Sequence, residues 1–437
     1  MARLMALLLV TVLATGCVAA PSGAPTGAGA EIPGLELAAV TVDRLPGTAA
    51  DAAAAGAAIN AFGLAVYWRI AEGDAAGNLV VSPTSIALAL AMARAGARGQ
   101  TATEMDAVLR DLGTDEHAAW VAAIDALLNS RTATYKDDAG APQDVVLRIV
   151  NAPFAQRGLT LQPAYLEALS ARFGAGLRLV DYATQAEAAR TAINAWVKAN
   201  TEGRIPELLA AGDVDGSTLL VLVNAIYLHA AWLTPFPESL TAPAVFTLPD
   251  GTTVSVPMMR TTHELGYAAG DGWRAVEIPY VGGMLAMDVI LPDDLTTFEA
   301  GFDERVLGTI TSALAPATVT LGLPRWSTGS RFELGPVLAD LGMPSAFGAA
   351  DFSGITTAAA LQIAAVIHQA NIDVDEKGTT AAAATAVILR ESAGPGATVE
   401  LTVDHPFLFV LRDLETGVVL FLGRVADPWA APAGAGA

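Results

Sequence analysis

Apolar and polar positions fall into two regimes along this chain. Through roughly the first half they recur at helical spacing, and from about Ser217 they alternate in short runs. In residues 52–72, Ile59, Phe62, Val66 and Ile70 form one stripe, which predicts a helix. Ser82-Pro83 predicts a second helix start, with serine as N-cap and proline in the first turn. Thr101 with Glu104 three residues on predicts a capping box for a third helix, stopped by Gly113. Helical patterns also cover residues 116–129, 163–173 and 185–200. Strand patterns then occupy residues 218–228, 244–248, 254–258, 274–280, 285–291, 317–323, 361–374, 407–411 and 418–425, with residues 332–341 helical between them. Pro249-Asp250-Gly251 predicts a turn. Helices first and strands later, without βαβ alternation, predict an α+β fold. No repeat or composition break marks a second domain.

One segment fits neither regime. Glu376-Lys377-Gly378-Thr379-Thr380 leads into Ala381-Ala382-Ala383-Ala384-Thr385-Ala386. Its alanines suit a helix ending near Gly394. Yet Thr379, Ala381, Ala383, Thr385, Val387 and Leu389 share one face at period two, with Arg390 on the other. A glycine followed by side chains no larger than threonine makes a loop able to become a strand.

Composition changes the picture mainly at the ends. The 437 residues are 53% hydrophobic with a mean hydropathy of +0.46, much of it alanine. No run of about 18 apolar residues lacks a polar interruption, so no membrane span is expected; the best candidate, residues 219–233, is short and holds Asn224 and His229. Arg3, the apolar stretch 4–14 and the small residues before Cys17 predict a secretory signal peptide over residues 1–17. Leu13-Ala14-Thr15-Gly16-Cys17 also resembles a bacterial lipobox, in which Cys17 would carry lipid; the alternative is an ordinary signal peptide with an incidental cysteine. Either way an exported chain is expected, secreted or held at the cell surface or periplasmic membrane by a lipid anchor alone. Residues 18–45, rich in Pro, Gly and Ala near their start, are expected to be a flexible tether before a domain at 46–429, and residues 430–437 a disordered tail.

Candidate chemistry narrows by exclusion. Cys17 is the single cysteine, so disulfides, cysteine metal sites and thiol catalysis are excluded. A net charge of −21 argues against nucleic-acid and heparin partners. No G-x-S-x-G elbow, P-loop or H-E-x-x-H occurs, and His117, His229, His263, His368 and His405 show no metal-ligand spacing. No metal, cofactor or enzymatic activity is expected.

Four separated blocks resemble the serpin family of serine protease inhibitors. The first is the stretch from Asn78 to Ile86 with Gly96-Ala97-Arg98-Gly99-Gln100-Thr101 behind it. The second joins Ile193-Asn194-Ala195-Trp196-Val197, Thr201-Glu202-Gly203-Arg204-Ile205 and Leu222-Val223-Asn224-Ala225-Ile226-Tyr227-Leu228, followed by Trp232, Phe236 and Val256-Pro257-Met258-Met259. The third is Leu323-Pro324-Arg325-Trp326 with Asp351-Phe352-Ser353-Gly354-Ile355. The fourth is His368-Gln369-Ala370, the segment at Glu376, Asp404-His405-Pro406-Phe407 and Leu420-Phe421-Leu422-Gly423-Arg424-Val425. Their order and spacing span residues 52–428.

The resemblance implies one domain with three β-sheets, about nine helices and an exposed reactive-centre loop at residues 376–403. It implies a monomeric suicide inhibitor that forms a covalent 1:1 complex with a target serine protease. The cut loop would insert as a strand into the main sheet, the known serpin form of strand addition. Glu376, Gly378, Thr379, Ala381, Ala383 and Thr385 would form the hinge, and Ser82, Ser85, Asn224 and His368 a hydrogen-bonded shutter. Trp232 and Arg325, the latter facing Glu376 in a surface ion pair, would mark the breach where the loop enters. The pattern around Trp232 departs from the family at Leu228-His229-Ala230, which bears on local packing. Counting fourteen residues from Gly378 puts the reactive bond at Ser392–Ala393, with Glu391 and Arg390 as the alternative specificity residues. A small residue there would attract elastase-like or subtilisin-like proteases, and arginine a trypsin-like one. A non-inhibitory serpin and a cross-class inhibitor of cysteine proteases are the alternatives.

Overall fold

The computed structural model describes residues 32–73, 77–137, 140–379 and 398–430. The expected signal peptide with Cys17, the expected tether up to residue 31, the expected hinge residues Ala381, Ala383 and Thr385, the candidates Arg390, Glu391, Ser392 and Ala393, and the expected tail from 431 lie outside these residues.

The helical first half forms largely as its pattern predicts. After a short strand β1 (Glu36–Ala38), α1 (Ala49–Gly73) buries Ile59, Phe62, Val66 and Ile70 along one stripe. This helix is long and apolar enough to cross a membrane by length and composition, but Asn60 and Arg69 interrupt it, half of its most apolar stretch is buried, and it packs on α2 and α4. Strand β2 (Leu79–Val81) leads into α2 (Pro83–Arg94), where Ser82 is the N-cap, its Oγ accepting from Ser85 N at 3.2 Å. The capping box at Thr101 and Glu104 does not form. Helix α3 (Gly99–Leu109) starts at Arg98 without a side-chain cap and ends on left-handed Arg110 before reaching Gly113. Thr101 Oγ1 instead accepts from Asp351 N, and Glu104 accepts from Ser345 N and Oγ, so both side chains clamp a distant loop. Then follow α4 (Ala118–Asn129), the hairpin of β3 (Ala133–Lys136) and β4 (Pro142–Gln156), and α5 (Pro163–Ala168) running into a π-helical turn, Leu169–Phe173. Strand β5 (Leu177–Val180) precedes α6 (Tyr182–Asn200).

The second half supplies β6 (Leu220–Ala231), β7 (Ala242–Thr247), β8 (Thr253–Gly270), β9 (Trp273–Pro279) and β10 (Leu285–Pro292), then α7 (Leu295–Ala300) and α8 (Glu304–Ala313). Residues 332–341, expected as one helix, are split: β11 (Ala315–Pro324) is followed by β12 (Trp326–Glu333), which includes Phe332, and only α9 (Gly335–Asp340) is helical. Pro336 explains the break, since a proline is tolerated only in the first turn. The chain closes with β13 (Ala365–Asp375), β14 (Gly378–Thr379), β15 (Val399–Thr402), β16 (Phe407–Asp413) and β17 (Val419–Val425).

Among the described residues, nine α-helices pack on these strands. One sheet runs β1-β5-β4-β6-β14-β13-β12, with β3 added on β4. The other strands form one nine-stranded sheet, β15-β11-β8-β9-β10-β16-β17-β2, in which β8 also pairs with β7. Strand β6 is buried on both faces. Leu222, Ile226 and Leu228 enter the main core beside α2, whereas Val221, Val223 and Ala225 pack against Ile193, Trp196 and Val197 of α6. Two-sided burial explains why all but Asn224 and His229 of its residues are apolar.

The expected tether is corrected from residue 32 onward. Ile32 and Leu35 pack on the α6 cluster, β1 pairs antiparallel with β5, and Leu45 N donates to Ala171 O at 2.9 Å. Gly176 makes room: a Cβ there would lie 2.8 Å from Ala38 O.

Candidate functional site

Two strands of the first sheet part where the Glu376 segment begins. β6 and β13 pair in parallel from Val221↔Ala365 to Ile226↔Ala370, and above that point Gly378-Thr379 lies between them. Thr379 stands opposite both Ala230 and Val374, and Gly378 opposite Ala231 and Asp375. The offset between His368 and its neighbour Asn224 is the one that separates Val374 from Ala230, so the two strands keep a single register across the gap. A strand entering between them needs no shear, only a lateral opening of about 4.8 Å.

The turn that delivers Thr379 is built from named contacts. Asp375 Oδ1 accepts from Lys377 N at 2.8 Å and Gly378 N at 3.2 Å, closing a tight reversal. Trp232 accounts for the other side: its N donates to Lys377 O at 2.8 Å and its Nε1 to Asp375 O at 2.9 Å, while its ring stacks on Tyr280 at 4.5 Å. Gly378 is required here, because a Cβ would fall 2.1 Å from Ala230 O. Thr379 is buried and its hydroxyl bonds Tyr280 Oη at 2.5 Å.

Arg325 faces Glu376 as the resemblance implies, with Nε at 2.8 and 2.7 Å from the two carboxylate oxygens. The pair is not a surface one: the Glu376 side chain is 4% exposed against 43% for Arg325. Burial alone would raise the Glu376 pKa, but the hydrogen bonds from Arg325 and from Thr241 Oγ1 outweigh it and hold the carboxyl below its ordinary value. Phe236 N, donating to Glu376 O, and Lys377, within 3.6 Å of Glu238, complete the anchorage.

Beneath the parting, Ser82, Ser85, Asn224 and His368 come together at one level. His368 Nε2 accepts from Ser82 N at 3.0 Å, so Nδ1 carries the proton and donates to Asn224 Oδ1 at 2.5 Å. Asn224 Nδ2 in turn donates to Asn151 Oδ1 at 2.9 Å, and Ser85 Oγ lies 3.2 Å from both Asn151 Oδ1 and Ala225 O. The His368–Asn224 bond therefore ties β13 to β6, and the serines of α2 hold it from behind. Burial pushes the His368 pKa down to about 3, and the backbone donor at Nε2 leaves no acceptor for a second proton. Asn151 is a further member, placed by β4, a strand that the reading of the first half as helical passes over.

The Glu376 segment thus turns back into a gap in a large sheet, over a buried polar lock. A serpin (serine protease inhibitor) family model matches residues 57–428. The chain belongs to the serpin family. It is 39% identical over 377 residues to a serpin-like protein of Thermococcus kodakarensis, covering 85% of each chain. It is 34% identical to the human leukocyte elastase inhibitor, over 84% of this chain and 97% of that one, and 36% identical to the bovine protein, over 85% and 99%. Uncleaved ovalbumin superposes with a TM-score of 0.74 at 28% identity, covering 85% of this chain and 99% of the other. A highly specific serpin of the insect Tenebrio molitor gives the same score and identity, covering 85% and 98%.

Proposed function

We propose that this serpin is an inhibitor that traps a serine protease covalently, one to one, by loop cleavage and insertion between β6 and β13. The observation that carries the reading is Thr379, already seated between those strands with its side chain in the core. Continued along the same register, Ala381, Ala383 and Thr385 would follow on the inward face, with Thr385 level with Asn224 and His368. Each is small enough to enter without a clash. Twelve residues from Thr379 to Arg390 would carry a tethered protease roughly 40 Å from its point of attack. The acyl bond forms between the protease serine and the carbonyl of the residue before the cut, and the amine of the next residue leaves. Trapping succeeds if insertion distorts the protease before water hydrolyses that ester.

Ser392–Ala393 is the reactive bond in this reading, with Glu391 and Arg390 as alternatives. The small residue and the likeness to leukocyte elastase inhibitors favour an elastase-like or subtilisin-like target. The leader ending at Cys17 supports a location outside the cytoplasm, secreted or anchored by lipid. Incubation with elastase, subtilisin and trypsin should give an SDS-stable complex with at least one, and mass spectrometry of the released fragment should begin at Ala393. Cleavage by all three without any such complex would reject inhibition of these protease classes; a fragment beginning at Ser392 or Glu391 would move the bond to the alternatives.

A further inference from the structure

Tyr280 is the residue that gives the first loop position its address. Its phenol and the Thr379 hydroxyl are fully buried, lie 2.5 Å apart, and are each other's hydrogen-bond partner. The backbone around it is fixed to the rim of the first sheet: Val281 N donates to Ala231 O, and Leu233 N to Pro279 O, both at 2.9 Å. Tyr280 N donates to Leu285 O, and its ring stacks on Trp232 at an interplanar angle of 19°. Tyr280 is thus held at the end of β6, the strand that forms one wall of the gap. Burial raises its pKa, which keeps the hydroxyl protonated for that bond.

We infer that Tyr280 is a positioning residue that sets the register in which the loop enters the sheet. This rests on the insertion reading above. A slip of one residue would exchange the two faces of the incoming strand and turn Ile388 and Arg390 inward. Slipping one way brings Gly378 to Tyr280, leaving a buried phenol unpaired at the cost of a lost hydrogen bond, and puts Lys377 in the place of Gly378, against Ala230 O. Slipping the other way offers the hydroxyl of Thr380 but drives Thr379 into the place of Gly378, where a Cβ meets Ala230 O at 2.1 Å. Tyr280 and Gly378 together admit one register, the one that keeps Arg390 out of the core.

The test uses Tyr280→Phe, which keeps the stacked ring, Thr379→Val, which keeps the shape, their double variant, and Thr379→Ser as the rescue. Amide hydrogen exchange of residues 376–379 in the intact protein reads the docked hinge directly. A single net hydrogen bond corresponds to about fivefold, so each single variant should speed exchange at Thr379 by about that factor. With a protease that wild type traps, the inhibitor consumed in excess of one per protease should rise by a similar factor. The double variant should be no worse than either single, and Thr379→Ser should behave as wild type. Unchanged exchange in both single variants, or a double variant whose effects multiply, overturns the assignment. If wild type traps no protease, the inhibitory function fails, and the exchange data still decide whether Tyr280 holds the hinge.

Discussion

Acidification should weaken the lock beneath the parting strands, through one histidine. His368 is neutral in the fold with a pKa of about 3, against 6.5 in an unstructured chain. Its folded value is depressed, so the unfolded state takes up a proton first. The site's contribution to stability is whole above pH 6.5 and drains away as pH falls toward 3. Between pH 7 and pH 4.5 the loss from this residue comes to roughly 2–3 kcal/mol, since each tenfold difference in proton affinity is worth about 1.4 kcal/mol. The comparison that isolates it is His368→Gln, whose amide can accept from Ser82 N and donate to Asn224 Oδ1 but cannot titrate. Urea unfolding at the two pH values should show wild type losing about 2–3 kcal/mol more than the variant over that interval. Equal losses, or an imidazole that titrates near pH 6.5 by NMR in the folded protein, would refute the reasoning.

Other consequences follow from the same contacts. Glu376→Gln should destabilise the uncleaved protein by about 1–3 kcal/mol in urea unfolding, because the lost bonds to Arg325 and Thr241 are made by a buried carboxylate; Glu72→Gln, in the exposed pair with Arg69, should change stability by less than about 0.5 kcal/mol. Gly378→Ala should expel Gly378-Thr379 from the sheet, so that the Thr379 amide exchanges like an exposed loop; retained protection would contradict the close approach to Ala230. Asn224→Ala leaves the His368 N–H without its partner and should cost about 2–3 kcal/mol in urea unfolding. Deleting residues 1–40 removes β1 and the apolar contacts of Ile32 and Leu35, and should lower the melting temperature by a few degrees; an unchanged value would mean that the segment is not docked.

What the sequence made legible was set by local chemistry. Ser82 announces a helix start because capping needs only residues three apart, and the serpin blocks carry their register over long distances. The capping box at Thr101 failed because tertiary partners, Asp351 and Ser345, competed for the same side chains. Strand β4 is carried by Val145, Val146, Ile149 and Val150, β-branched residues that form a strand-like run the helical reading of the first half passes over. Asn151 is hidden with it. The pairing of Thr379 with Tyr280 is likewise invisible in one dimension: 99 residues separate them, and neither position is unusual alone. The docking of residues 32–45 hides for a related reason, since a short, weakly patterned stretch becomes a strand only where β5 offers an edge.

The central claim is that the cut loop becomes a strand between β6 and β13. Melting temperature before and after nicking the loop, followed by amide exchange over Val221–Ala230 and Ala365–Val374, tests it most directly. Nicked protein should melt well above the intact protein, with new protection on the edges of β6 and β13 that face each other where they now diverge. An unchanged melting temperature, with exchange in those strands as before, would mean that the loop does not insert.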